Sequence, residues 1–240
     1  MDKKKRLLIF KDTGTPVPSF QNDKSLAFDG VDDYVEFASG SSGPIYDIGT
    51  GDFTASMWVT SDASGSYAWM MHNWSSQGLG IGRGPGNHFI AYIGDSTLHD
   101  TTIEIPWDGT WHHYVVTRNS GACDMYIDGS SVITQFTETG TLATSKPSRL
   151  GSRSNYVGQL WGGNLDEVSI WDVGLSASDV STLYNSGSPT DLSTALGPKP
   201  TFWLRMGDKV TSFPTIPDQI GSNDGTATNM VSGDIESNVP

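Results

Sequence analysis

The chain has one cysteine, few basic residues and no long hydrophobic run, and each shortage removes a class of protein. Cys123 alone cannot close an intramolecular disulfide, so a fold stapled by such bonds is excluded. It alternates with Met125 and Ile127, which reads as a buried structural thiol on one strand face. Lysine and arginine number 14 against 27 aspartates and glutamates, a formal charge of −13, and the one dense basic cluster lies in the first 11 residues. A phosphate backbone selects clustered cations, so nucleic acid is not an expected partner. The apolar run Leu7-Leu8-Ile9-Phe10 ends at Lys11-Asp12, far short of a membrane span or a signal-peptide core. The expectation is a chain that neither inserts into a membrane nor carries a Sec signal. No long periodic repeat, Cys/His zinc spacing or Ser-His-Asp arrangement is legible.

What the sequence does hold is a succession of short strand patterns. Period-two alternation recurs at 25–28, 34–37, 53–59, 68–71, 88–93, 111–117, 125–127 and 165–171, between clusters of Gly, Ser, Asp and Asn. In 53–59 the set Phe53, Ala55, Met57 and Val59 looks into the core and Trp58 looks away. Asp128-Gly129 has the composition of a tight hairpin turn. One short helix is specified after Leu175: Ser176 caps the free amides, Asp179 sits against the positive end, Leu175 staples onto Val180, and Gly187 supplies the stop. Val180, Leu183 and Tyr184 form one apolar stripe that has to dock on a sheet. The pattern predicts an all-β fold, a two-sheet antiparallel jelly-roll sandwich with one short helix and extended N- and C-terminal segments. It divides into an N-terminal arm (1–19), a sandwich domain (20–187) and a Pro-rich C-terminal extension (188–240) with one strand candidate at 202–206.

The motifs Ser25-Leu26-Ala27-Phe28-Asp29-Gly30-Val31-Asp32-Asp33-Tyr34-Val35, Asp52 to Val59, Trp111-His112-His113-Tyr114-Val115-Val116, Tyr126-Ile127-Asp128-Gly129 and Leu165 to Asn185 stand in this order. Together they resemble the laminin-G-like, concanavalin-A-like jelly roll over roughly residues 20–187. That resemblance implies a fold shared by lectins, adhesion modules, glycoside hydrolases and virion parts, and so it leaves function open. It also implies that Asp29, the Gly30 carbonyl and Asp166 come together at the sandwich edge around Ca²⁺, a cation that prefers hard oxygen ligands. Asp32 and Asp33 belong to the same acidic group; the plainer reading makes all of them turn residues. The tail, with Phe202, Trp203 and Met206 followed by 215–226, resembles endings of tailed marine bacteriophage structural proteins.

Candidate chemistry is sparse. Asp166 and Glu167 are adjacent, so simple alternation puts them on opposite faces and denies a glycosidase its carboxylate pair. The glycine-rich run 78–86 lacks the Lys-Ser/Thr of a phosphate loop and reads as strand and turn. Trp69, Trp74, Trp107, Tyr156 and Trp161 lie in or beside loop-like segments, where flat rings stack on sugars or anchor protein contacts. Trp161, between Leu160 and Gly162, is the favoured surface residue, with Tyr156, Trp74 and Trp107 beside it as glycan or partner contacts. The leading expectation is a noncatalytic virion structural protein on the particle surface, a capsid decoration, fibre or tail component. Its partners would be other virion proteins, a homo-oligomer and a cell-surface glycan. In this reading Phe202, Trp203 and Met206 form the assembly tail, whose strand at 202–206 completes either this chain's own sandwich or a neighbouring copy's. The alternative is a Ca²⁺-assisted carbohydrate-binding or adhesion module, and a glycoside hydrolase comes third.

Overall fold

Alternating apolar residues build two antiparallel sheets that face each other across one core. The computed structural model describes residues 20–38, 42–61, 65, 67–106, 108–133, 135–154 and 158–240. The N-terminal arm, Trp107 and Tyr156 lie outside them. The first sheet comprises β1 (Ser25–Asp29), β3 (Phe53–Val59), β8 (His112–Asn119), β9 (Ala122–Ile127), β10 (Ser130–Ser131), β11 (Phe136–Thr137), β13 (Gly162–Trp171), β14 (Phe202–Leu204) and β17 (Ile235–Glu236). The second comprises β2 (Tyr34–Ala38), β4 (Ala68–His72), β5 (Leu79–Arg83), β6 (His88–Ile93), β7 (His99–Glu104), β12 (Ser148–Leu150), β15 (Thr215–Ile216) and β16 (Gly225–Thr228). The sandwich expected from the sequence is the one found.

The inward sets are those the alternation selects. Phe53, Ala55, Met57 and Val59 of β3 meet Leu79, Ile81, Phe89, Ala91 and Ile93 of the opposite sheet in one cluster, while Trp58 faces out. Cys123 and Met125 lie in the same cluster, and burial pushes the Cys123 thiol up to about 11, so it stays protonated. Asp128 and Gly129 both take positive φ, 50° and 74°, as a two-residue hairpin turn between β9 and β10 requires.

The helix α1 (Ala177–Tyr184) begins with a reciprocal capping box. The Asp179 amide donates to Ser176 Oγ and the Ser176 amide donates to the Asp179 carboxylate. It ends on Asn185 in the left-handed conformation, one position after Tyr184 and before the expected Gly187. Val180 and Leu183 join Val115, Tyr126, Trp171, Leu192 and Trp203 in a second apolar cluster on the outer face of the first sheet.

Two expectations are corrected by the topology. The tail carries four strands rather than the one expected at 202–206, and of the two places left open for that strand, this sandwich or a neighbouring copy's, it takes the first: β14 pairs with β13 through Val168↔Leu204, Ser169↔Trp203 and Ile170↔Phe202, β16 pairs with β2, and β17 pairs with β1. Strand β13 meets β1 along 162–165 and β14 along 168–170, so β1 and β14 lie end to end and complete one edge. Residues 188–240 therefore add strands to both sheets of the same sandwich, and Phe202 and Met206 are fully buried in its core.

The second correction concerns β13. The register against β3 shifts between Asp166 and Ser169, and Glu167 has φ of 49°. This bulge inserts one residue, so Leu165, Val168 and Ile170 all enter the main core and Asp166 and Glu167 share the other face. Simple alternation fails there because one residue is left out of the pairing.

Candidate functional site

On the outer face of the second sheet, β4, β5 and β6 present aromatic rings over glycine. A register shift between Trp69 and Met71 sends Met70 and Met71 into the core and leaves Trp69 and His72 outside. In β5 the inward Leu79 and Ile81 alternate with outward Gly80 and Gly82. A Cβ at Gly80 would come within 3.0 Å of the Trp69 ring, so glycine there lets the indole lie down across the strand. Tyr92 alternates outward between Ala91 and Ile93.

These positions converge on an open cleft of about 270 Å³ lined by Tyr67, Trp69, Trp74, Tyr92, Arg153 and Gln159. Trp74 and Tyr92 stack with centroids 4.6 Å apart, Trp69 lies 5.8 Å from Tyr92, and Tyr67 stacks on Trp69 at 6.1 Å. Both indoles are pinned by their N–H groups. Trp69 Nε1 donates to Gln159 Oε1 at 2.9 Å and Trp74 Nε1 donates to the Asp95 carbonyl at 2.8 Å. Gln159, at φ 57°, also accepts the Trp69 amide through its carbonyl. Trp69 is the buried floor; Tyr67, Trp74 and Tyr92 remain half-buried with part of each residue open to solvent.

Below them His72 is buried, 4.7 Å from the Trp69 ring, with Nδ1 at 2.9 Å from Ser154 Oγ. Burial, reinforced by the Arg153 and Arg149 cations, pushes its pKa down to about 3, so it is neutral at physiological pH. Burial likewise raises Tyr92, with Tyr67 adding to the effect. The cleft is thus an aromatic surface with two fixed indoles, tyrosine hydroxyls and one cation at its side. Such a surface suits the apolar face and hydroxyl rim of a sugar ring.

Of the aromatics singled out in the sequence, Trp69 and Trp74 lie in this cleft. Trp161 does not, and its expected exposure is overturned: it is 0% exposed, in the main core. Its Nε1 donates to the Thr60 carbonyl at 2.9 Å, which meets its one polar need, and its flanking Gly162 and Gly163 open β13 rather than a loop. Tyr67, Tyr92, Arg153 and Gln159 escaped the sequence reading. The alternation in 88–93 marks Tyr92 as outward, but Arg153 and Gln159 reach the cleft from a connection more than 60 residues along the chain.

The acidic candidates separate into two places. Asp29 pairs with Gly162 while Leu26 pairs with Leu165, which sets Asp166 about four residues, ~13 Å, along the ladder from Asp29. Asp29 and Gly30 therefore do not meet Asp166. Asp29 gathers instead with Asp32 and Asp33, whose ligand oxygens lie within 4.8 Å of one another. Their hydrogen bonds close the β1–β2 turn: Asp29 Oδ1 accepts the amides of Val31 and Asp32, and Asp33 Oδ2 accepts the Asp29 amide at 3.0 Å. That turn accounts for Asp29 and Asp33 without a cation.

Asp166 and Glu167 lie buried side by side. Glu167 accepts Trp203 Nε1 at 2.6 Å and Arg205 Nε at 2.9 Å, and Asp166 accepts Asn22 Nδ2 at 2.7 Å. Arg205 also bonds Asp208 at 2.8 Å and the Gln21 carbonyl, with Phe20 over its guanidinium. Burial raises both carboxyls, Glu167 to about 7 with the Arg205 cation opposing, and Asp166 further through the neighbouring Glu167 charge. The pair is sealed by residues 20–22 and the tail.

Comparison with known proteins agrees with this architecture. No curated protein matches the chain at a significant level. Among solved structures, a candidate carbohydrate-binding protein from Bacteroides ovatus superposes with a TM-score of 0.70 at 15% identity over 88% of this chain. The chain spans 60% of that protein's length. A heptameric SAP-like pentraxin from Limulus polyphemus superposes with a TM-score of 0.53 at 15% identity, over 68% of this chain and 82% of its own. At such identities the likeness is one of fold. Residues 29–181 match a sequence family, and the chain belongs to that family, the concanavalin A-like lectin/glucanase superfamily.

Proposed function

We propose that the protein is a noncatalytic carbohydrate-binding module whose ligand lies in the cleft between Trp74, Tyr92, Tyr67 and Arg153. The observation that carries this reading is the cleft itself. A chain that covers the other sheet's outer aromatics leaves these rings partly open, with Trp74 and the Trp69 floor held by hydrogen bonds at their N–H edges. The Bacteroides ovatus relative, described as a candidate carbohydrate binder, supports it by fold. The noncatalytic part rests on chemistry: the adjacent carboxylates Asp166 and Glu167 are engaged by Asn22, Trp203 and Arg205 beneath the tail.

A glycan array followed by calorimetric titration of the oligosaccharides retained tests the reading. Trp74→Ala and Tyr92→Ala are expected to weaken binding by roughly tenfold or more each, in line with loss of an aromatic anchor. A chain that retains no sugar, or whose binding is unchanged in both variants, overturns it.

A virion structural component is the second reading, suggested by the sparse catalytic chemistry, the expected lack of a Sec signal and the Pro-rich flanks. Because β14, β16 and β17 complete this chain's own sheets, the tail strand lends it no support as an intersubunit contact. Light scattering on the full chain tests it, and a defined oligomer would restore it.

A further inference from the structure

Among the described residues the cleft holds one charge that no carboxylate balances. Arg153 lines it, its Nε is buried without a hydrogen-bond partner, and among the described residues no carboxylate forms an ion pair with it. In a chain with formal charge −13, an arginine left without a carboxylate beside half-exposed rings stands out. Its surroundings cannot share or cancel the charge. The nearby Arg149 is already neutralised by Glu36 at 3.0 Å and packs over Tyr34, and its Nη1 donates to the Arg153 carbonyl, which fixes the backbone there. His72 is neutral, and burial raises the Tyr92 hydroxyl, with Tyr67 adding to the effect, so it too stays protonated. Asp95 offers Trp74 its carbonyl, while its carboxylate accepts the amide and hydroxyl of Thr97 at 2.7 and 3.2 Å.

We propose that this cleft selects a sugar bearing a carboxylate, a uronic acid unit, whose carboxylate pairs with the Arg153 guanidinium while its ring stacks on Trp74 and Tyr92. The planar fork of arginine matches a planar carboxylate through two parallel N–H···O bonds. Rings and cation then divide the recognition. The aromatics accept any sugar with an apolar face, and Arg153 discriminates by charge. Displacing water from an unpaired guanidinium costs free energy that only an anion returns, so a neutral sugar placed there is disfavoured as well as less attracted. The proposal rests on the cleft being the sugar site.

The test is an array of oligogalacturonate, oligomannuronate, oligoguluronate and glucuronate-containing oligosaccharides, each beside its carboxyl-reduced neutral counterpart, with a sulfated neutral series as a third arm. The expected result is retention of a uronate oligomer, at least tenfold weaker binding of its reduced counterpart, and a comparable loss in Arg153→Met with an unchanged melting temperature. Arg153→Lys, which keeps the charge without the fork, is expected to fall between the two. Binding should also weaken as salt rises. Neutral sugars bound equally well or better, with Trp74→Ala still abolishing retention, would overturn the uronate assignment and leave the sugar site standing. Retention of sulfated sugars alone would overturn it too. Retention of nothing in any arm would overturn both.

Discussion

The outer faces of the two sheets carry the same kinds of residue and end in opposite states. On the first sheet Trp58, Trp171 and Trp203 lie under α1 and the segment that follows it, and the bulged Asp166 and Glu167 are sealed beside them. On the second sheet, among the described residues, Trp69, Trp74 and Tyr92 have Tyr67 and the connection around Arg153 and Gln159 at their side, and a cleft remains. Aromatic surface costs free energy when left in water, and this chain has enough polypeptide to cover one face completely. The difference teaches that coverage, not composition, separates the two faces, and it is the ground on which a ligand is proposed for the open one. It also separates two settings of hydrogen-bonded tryptophan: Trp203 donates to a buried carboxylate, whereas Trp69 and Trp74 donate to oxygens at their edges beside the cleft.

The largest expected effect breaks the closed face. Trp203→Ala removes a buried indole from the second apolar cluster, the stacking partner of Phe20, and the Nε1 donor to Glu167. A loss of ~3–5 kcal/mol in urea unfolding is expected, with sugar binding at the opposite face retained in the molecules that stay folded. Loss of binding at full stability would mean that the two faces are not independent.

Much of this was legible and some was not, for physical reasons. The core alternation of β3, the Ser176/Asp179 capping box and the Asp128-Gly129 turn are local, and local patterns survive folding. The bulge at Glu167 is invisible in sequence because a single inserted residue leaves the composition untouched while reversing faces downstream. Trp161 looks like a loop residue in sequence because flanking glycines signal both loops and close strand approach; a Cβ at Gly163 would sit 2.4 Å from the Thr60 carbonyl. The tail strands are two to four residues long, and their partners lie up to about 200 positions away, which no window of sequence reports. Arg153 joins the cleft in the same nonlocal way.

The next effect sharpens the electrostatic side of the comparison. Glu167 is raised by burial to about 7 in the folded state, against 4.5 as its ordinary value, and Asp166 is raised as well. A folded state that holds protons the unfolded chain has released is favoured at low pH. This contribution is fully present below about 4.5 and is lost as pH rises through about 7, on the order of 3 kcal/mol. Asp166→Asn removes the like charge beside Glu167 and should flatten that fall, raising stability at pH 8 relative to pH 4.5 when compared with the parent. Asparagine keeps one acceptor for the Asn22 and Glu167 donors that aspartate serves with two, so the slope is the measure rather than either midpoint. An unchanged slope would show that the pair ionises without strain.

A smaller effect probes the open face. Gly80→Val puts a branched side chain where even a Cβ meets the Trp69 ring at 3.0 Å, so the ring has to shift toward the cleft. Stability should fall by only ~1 kcal/mol, because the cleft is open to solvent, while sugar affinity falls several-fold as the floor is lifted. Melting temperature and titration on the same sample separate the two; an affinity loss no greater than the stability loss would argue against Trp69 as a floor.

The smallest expected effect concerns Asp29, Asp32 and Asp33, which lie at the β1–β2 turn. A cation that binds only the folded state stabilises it by RT ln(1 + [L]/Kd), so a site of micromolar affinity would raise the melting temperature by several degrees in millimolar Ca²⁺. Here Asp29 already accepts two amides and Asp33 a third, while Asn229 Nδ2 donates to the Asp32 carbonyl from the tail. Recruiting these carboxylates to a metal would release hydrogen bonds that hold the turn, and burial already raises Asp33, which favours its proton over a cation. The expected shift between Ca²⁺ and chelator is below ~1 °C, beyond the general screening that any salt gives a chain of formal charge −13. Mg²⁺ at matched ionic strength is the control, since its smaller octahedral shell suits this turn no better. A shift of several degrees with Ca²⁺ alone would turn these three aspartates from turn residues into ligands and give the sandwich edge, in addition to the aromatic cleft, a part in binding.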